Sequence, residues 1–130
     1  MMTNKELPIT TKAALDSGCT SHLMPESQIP DGMEVDNTAR SVVNTAKAGQ
    51  SMTSLGRISA GKLENTLIMP DNDLKQTLVS VSALDRSGHT VIFYNGKTEV
   101  IDSNGKLVAT GRLNSSNLYE IDVQNLISNT

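Results

Sequence analysis

An aspartate placed where an apolar run gives way to small residues is the most chemically loaded feature of this chain. Ala13-Ala14-Leu15 ends at Asp16, and Ser17-Gly18-Cys19-Thr20-Ser21-His22-Leu23 follows. A strand before such a carboxylate makes it rigid, Gly18 lets the backbone turn close to it, and Ser17 offers a hydroxyl. Loop residues positioned by a rigid element are common hosts of catalysis. The plain alternative is an Asx-turn, in which Asp16 merely caps a β-turn with its own side chain. The Cys19-x-x-His22 spacing raises two further chemistries. A thiolate activated by imidazole is one, but it also needs oxyanion donors and an orienting group that no local pattern supplies. Structural zinc is the other, and one cysteine with two histidines is too small a ligand set. No metal and no cofactor is therefore expected. Cys19 reads better as a small buried hydrophobe, His22 as a hydrogen-bonded support of the loop, and His89 as structural.

The elements around this loop are short. Residues 1–12 are polar, interrupted by Pro8, and read as an arm or an edge strand. Ala13–Leu15 is a strand with a turn behind it. Pro25 to Asn37 is mostly loop, with Pro30, Asp31-Gly32 and Asp36-Asn37 breaking it. Strands are expected at Arg40–Ala46, Ser51–Ser59 and Leu63–Met69. After Leu78-Val79-Ser80, a short helix near Ala83, from Leu84 onward, is expected to stop at Gly88. Beyond it, Asn95-Gly96 and Asn104-Gly105 separate β-branched runs, the strongest short-range hairpin signal, because a type I′ turn needs positive φ at both central residues. The segment reads as a β-meander, the chain as all-β and mainly antiparallel with at most one or two short helices, and 122–130 as a tail.

Composition narrows the function. The 130 residues make one domain, spanning 1–130, with 11 Lys+Arg against 14 Asp+Glu and a formal net charge of −3. Aromatics are 2% (Phe93, Tyr94 and Tyr119), so the core must come from Leu, Val, Ile, Met and Ala, with the six methionines filling irregular gaps. Neither the charge nor the rings suit a stacking nucleic-acid platform. No apolar run reaches the ~20 residues that span a bilayer. The expectation is a protein in a reducing compartment, with neither nucleic acid nor membrane as a direct partner.

The decapeptide from Ala14 to Leu23 resembles the active-site segment of copia-type retrotransposon aspartic proteases, a retropepsin-like family. Asp16, Ser17, Gly18, Cys19, Thr20, His22 and Leu23 fall on its pattern. Met69-Pro70, Leu78-Val79-Ser80-Val81-Ser82-Ala83-Leu84, Gly88-His89-x-Val91-x-Phe93 and Leu118-Tyr119-x-Ile121 continue the likeness in order, with Thr77 standing where the family has asparagine. The resemblance implies a closed β fold, retropepsin-like, and an aspartic endopeptidase that hydrolyses peptide bonds of a Gag-Pol polyprotein, in the cytoplasm within virus-like particles. Asp16 would be catalytic, with Ser17 and Gly18 shaping its loop and Cys19, Thr20 and His22 around it. Leu78, Val79 and Ser80 would buttress that loop. A flap hairpin would lie between Ala46 and Gly61, using Gly49, Ser54 and Gly56. Aspartic proteases need two carboxylates sharing a proton. This chain has one Asp-Ser-Gly, so the second carboxylate is expected from another copy, in a twofold homodimer. The rival reading is a catalytically silent, domesticated protease-fold module that dimerises or binds peptides.

Overall fold

The computed structural model describes residues 12–38, 40–44 and 51–127. In chain order the elements are β1 (Lys12–Asp16), β2 (Leu23–Pro25), a 3-10 turn (Glu26–Gln28), β3 (Val42–Asn44), β4 (Ser51–Thr53), β5 (Gly56–Ala60) and β6 (Leu63–Met69). Then come β7 (Leu78–Ser80), α1 (Val81–Arg86), β8 (Thr90–Tyr94), β9 (Lys97–Ile101), β10 (Leu107–Leu113), β11 (Tyr119–Asp122) and α2 (Gln124–Ile127). The molecule is mainly β with two short helices.

Nine strands form one mixed sheet in the order β5-β6-β2-β7-β1-β11-β10-β9-β8, and β3 and β4 make a separate two-stranded hairpin. Most neighbours are antiparallel. Two pairs, β1 with β7 and β2 with β6, are parallel. A parallel pair needs a long connection, and both run through residues distant in the chain. As a result β7 lies between β1 and β2, which are consecutive in sequence but not adjacent in space.

The sheet is open, against the expectation of a closed fold. Its edge strands, β5 and β8, do not pair with each other. β8 is solvent-exposed on both faces for most of its length, with Phe93 44% and Tyr94 42% exposed, so nothing draws it onto a closing partner. The gap is filled by packing instead. Leu126 of α2 is fully buried in one core with Leu63 and Ile58 from the β5–β6 side and Val100 and Ala109 from the β9–β10 side. The Lys62 N–H donates to the Leu126 carbonyl at 2.7 Å. Gly61, at φ +58°, presses so close to the α2 terminus that a Cβ there would come within 2.6 Å of the Ile127 carbonyl oxygen. The stretch expected as a tail, 122–130, is thus integral to the core as far as Ile127. An apolar pair, Val123 and Leu126, spaced for one helical face, explains why.

The core is built from Leu, Ile, Val, Met and Ala, with Met24 and Met69 in it and no aromatic ring. Phe93 meets Tyr119 edge-on at 4.8 Å on the meander surface. Asn95 and Gly96 take φ 49° and 75°, as a type I′ turn requires. The second Asn-Gly behaves differently. Only Gly105 has positive φ there, because the Asp102 carboxylate accepts the N–H groups of Asn104 and Lys106 and builds a longer loop. Two other boundaries moved. The single strand expected over Ser51–Ser59 breaks at Ser54-Leu55 into β4 and β5. The helix starts earlier than Leu84, since Ser80 caps it by accepting the Ala83 N–H at 3.0 Å.

Candidate active site

Asp16 is the last residue of β1, and its register partner on parallel β7 is Ser80. Antiparallel β11 flanks the other side of β1, so the strand that delivers the carboxylate is held along both edges. Past Asp16 the chain turns at Ser17-Gly18. The Gly18 N–H donates to Asp16 Oδ1 at 2.7 Å, and the Cys19 thiol donates to Asp16 Oδ2 at 3.2 Å. Both carboxylate oxygens are therefore oriented by their own loop. A side chain at position 18 would crowd them, since a Cβ there would lie 3.2 Å from Oδ1. The Asx-turn and the functional loop are compatible descriptions of one geometry: the turn is what aims the carboxylate.

The loop is anchored from behind by β7 and α1. Ser80 Oγ donates to the Cys19 carbonyl at 2.7 Å, and Ser82 Oγ reaches the same oxygen at 3.2 Å. The Ser80 N–H donates to His22 Nδ1 at 2.9 Å, with His22 only 2% exposed. Leu78 and Val79 pair with Ala14 and Leu15, and Val79 is fully buried. Thr20 is exposed, but its carbonyl accepts from Arg86 Nη2 at 2.6 Å. Sequence reasoning missed Arg86 and Ser82. Their i, i+4 spacing on α1 was visible, but which loop they would meet was not. Ser17 is exposed and faces a separate shallow surface beside α1 and β8.

Electrostatics distinguish the two residues that invited other chemistry. Burial, then the hydrogen bond to Asp16 and its charge, push the Cys19 thiol up to about 12. Burial, then the charges of Arg86 and His89, push His22 down to about 4. A protonated thiol aimed at a carboxylate, beside an imidazole whose Nδ1 is committed to Ser80, is poorly set for thiolate catalysis. Cys19 is half-buried and packs against the apolar cluster of Leu23, Leu67, Met69 and Leu74. Among the described residues no group of three or more His, Cys, Asp or Glu is placed to hold a metal ion, and no helix is long and apolar enough to cross a membrane.

The β3–β4 hairpin overlaps the stretch from Ala46 to Gly61 where a flap is expected: it pairs Val42 with Thr53 and Val43 with Met52, while residues 45–50, Gly49 among them, lie outside the described residues. Ser54 and Gly56 are not at its bend. Ser54 is buried at its base, where the Ser54 N–H donates to the Ser41 carbonyl and the Ser41 N–H to Ser54 Oγ, both at 2.8 Å. Gly56 opens β5, where backbone packs so tightly that a Cβ would come within 2.6 Å of the Asp36 carbonyl oxygen. Glycine is needed there for close approach rather than for bending. Between β3 and the loop at Gly18–Ser21 runs a groove of about 390 Å³, with Leu23 and Leu67 among its walls.

No family model, curated protein or solved structure matches the chain.

The chain's one Asp-Gly dipeptide, Asp31-Gly32, forms an exposed turn with φ +80° at Gly32. It is not held at a strand end as Asp16 is.

Proposed function

We propose that the chain is an aspartic endopeptidase of the copia-type retrotransposon kind, active as a homodimer and acting on a Gag-Pol polyprotein within virus-like particles. One observation carries the reading. Asp16 ends a strand paired on both edges, both of its oxygens are oriented by the following loop, and that loop borders a groove whose far wall is a hairpin. The sequence stretches that resemble the family add to it, and so does the packing of Leu78-Val79-Ser80 behind the loop.

In this reading the two Asp16 carboxylates, one from each copy, hold a single proton between them, because like charges that close do not both ionise. The charged carboxylate takes a proton from water as the water oxygen bonds to the peptide carbonyl carbon. The neutral carboxylate gives its proton to the carbonyl oxygen. Collapse of the resulting diol breaks the C–N bond. One carboxylate protonates the departing nitrogen while the other takes back a hydroxyl proton, which restores the shared-proton pair. Ser17 and Gly18 shape the loop, and the β3–β4 hairpin closes over an extended peptide that pairs with it through backbone hydrogen bonds.

The test is Asp16→Asn, assayed on a purified polyprotein fragment with particle size measured in the same samples. Cleavage is expected to vanish while the folded dimer persists. Undiminished cleavage by the variant, or activity in a strictly monomeric wild type, overturns the proposal.

A further inference from the structure

The groove beside the Asp16 loop carries a charge that the peptidase reading does not use. Of the described residues lining it, Arg57 alone bears a formal charge at neutral pH; the others are small, hydroxylic or apolar, such as Gly18, Ser41, Val43 and Leu67. Backbone pairing with Asp36 fixes the position of Arg57: its N–H donates to the Asp36 carbonyl at 3.1 Å and its carbonyl accepts the Asp36 N–H at 2.9 Å.

Among the described residues the guanidinium is only partly satisfied. Nη2 donates to the neutral Ser41 hydroxyl at 2.8 Å, and Nε is buried with no partner among the described residues. The Asp36 carboxylate feels the Arg57 charge, yet its Oδ1 accepts the N–H and hydroxyl of Thr38. An arginine presents five donors in a planar fork that matches a carboxylate. Among the described residues its one hydrogen-bond acceptor is a neutral hydroxyl; a guanidinium so placed, in a groove whose described lining is otherwise uncharged, favours an incoming anion, and a charge-assisted pair is about twice as strong as a neutral one.

We propose that Arg57 makes this groove a specificity pocket for an acidic side chain, glutamate or aspartate, of the bound peptide. The inference rests on the peptidase reading for its substrate and names a preference within it. Leu23, Val43 and Leu67 receive the side chain's methylenes, and Arg57 receives its carboxylate.

Binding to the Asp16→Asn variant tests this without turnover. The probes are short fluorescent peptides of Ala and Leu carrying one Glu, moved position by position, with Gln at the same place as control. At one position the Glu peptide is expected to bind roughly 10- to 100-fold more tightly than the Gln peptide, the range of a charge-assisted hydrogen bond. Arg57→Gln should erase that difference, Arg57→Lys should keep part of it, and Arg57→Glu should favour a Lys peptide instead. Equal binding of Glu and Gln peptides at every position overturns the proposal, and that comparison needs no Arg57 variant to fold. Asp16-dependent cleavage without an acidic preference overturns this inference alone. An Arg57-dependent acidic preference in a wild type that cuts nothing supports the pocket while overturning the peptidase reading.

Discussion

His22 shows how far one buried side chain reaches. Its Nδ1 accepts the Ser80 N–H, so protonation there breaks a bond that ties the Asp16 loop to β7. The folded state holds the imidazole at about 4, well below its ordinary 6.5, chiefly through burial. The unfolded chain therefore binds more protons between those values, and stability falls as pH drops from about 6.5 toward about 4. The full effect is on the order of 3 kcal/mol. Urea denaturation at several pH values should show that slope, and His22→Asn, which keeps an acceptor in a similar place, should flatten it. An unchanged slope in the variant would remove His22 as its cause. The residue types of this site were legible as a string of letters. That the Cys19 thiol hydrogen-bonds the Asp16 carboxylate was not, because the turn that brings them together depends on where β7 lies.

Among the elements, the junction of β7 and α1 has the most attached to it. Ser80 pairs with Asp16 in register, caps α1 and donates to the Cys19 carbonyl. Ser80→Ala removes the cap and one loop anchor, and a lost N-cap alone costs about 1 kcal/mol, with the anchor adding to it. A denaturation midpoint equal to that of the wild type would contradict this. If the peptidase proposal holds, cleavage should fall further than stability does, since the loop loses an anchor even in the folded fraction. Sequence patterning located most strands here within a few residues. It failed where side chains replaced backbone logic: at Ser54, whose hydroxyl clamps the hairpin base, and at Asp102, whose carboxylate overrode the second Asn-Gly turn.

At the scale of the whole molecule, the carboxyl end closes what the sheet leaves open. Leu126 is fully buried between β-hairpins that are distant in sequence, and its carbonyl accepts the Lys62 N–H. Leu126→Ala should cost about 2–5 kcal/mol, the usual range for such a cavity in a core. Thermal or urea unfolding measures it directly. A loss of under ~1 kcal/mol would mean that α2 is an accessory rather than part of the core.

Local physics accounts for the part of this protein that the order of its residues settles. Apolar runs, glycine punctuation and one Asn-Gly turn specify a mainly β chain with short helices, a core without aromatics, and a carboxylate at a strand end. These depend on residues close together in the chain. Long-range packing set the rest: β7 inserts between β1 and β2, the sheet stays open, and the last helix is core. It also decided that Arg57 and the Asp16 loop share one groove. Each of those depends on which distant surfaces bury each other, and no short-range pattern encodes that choice.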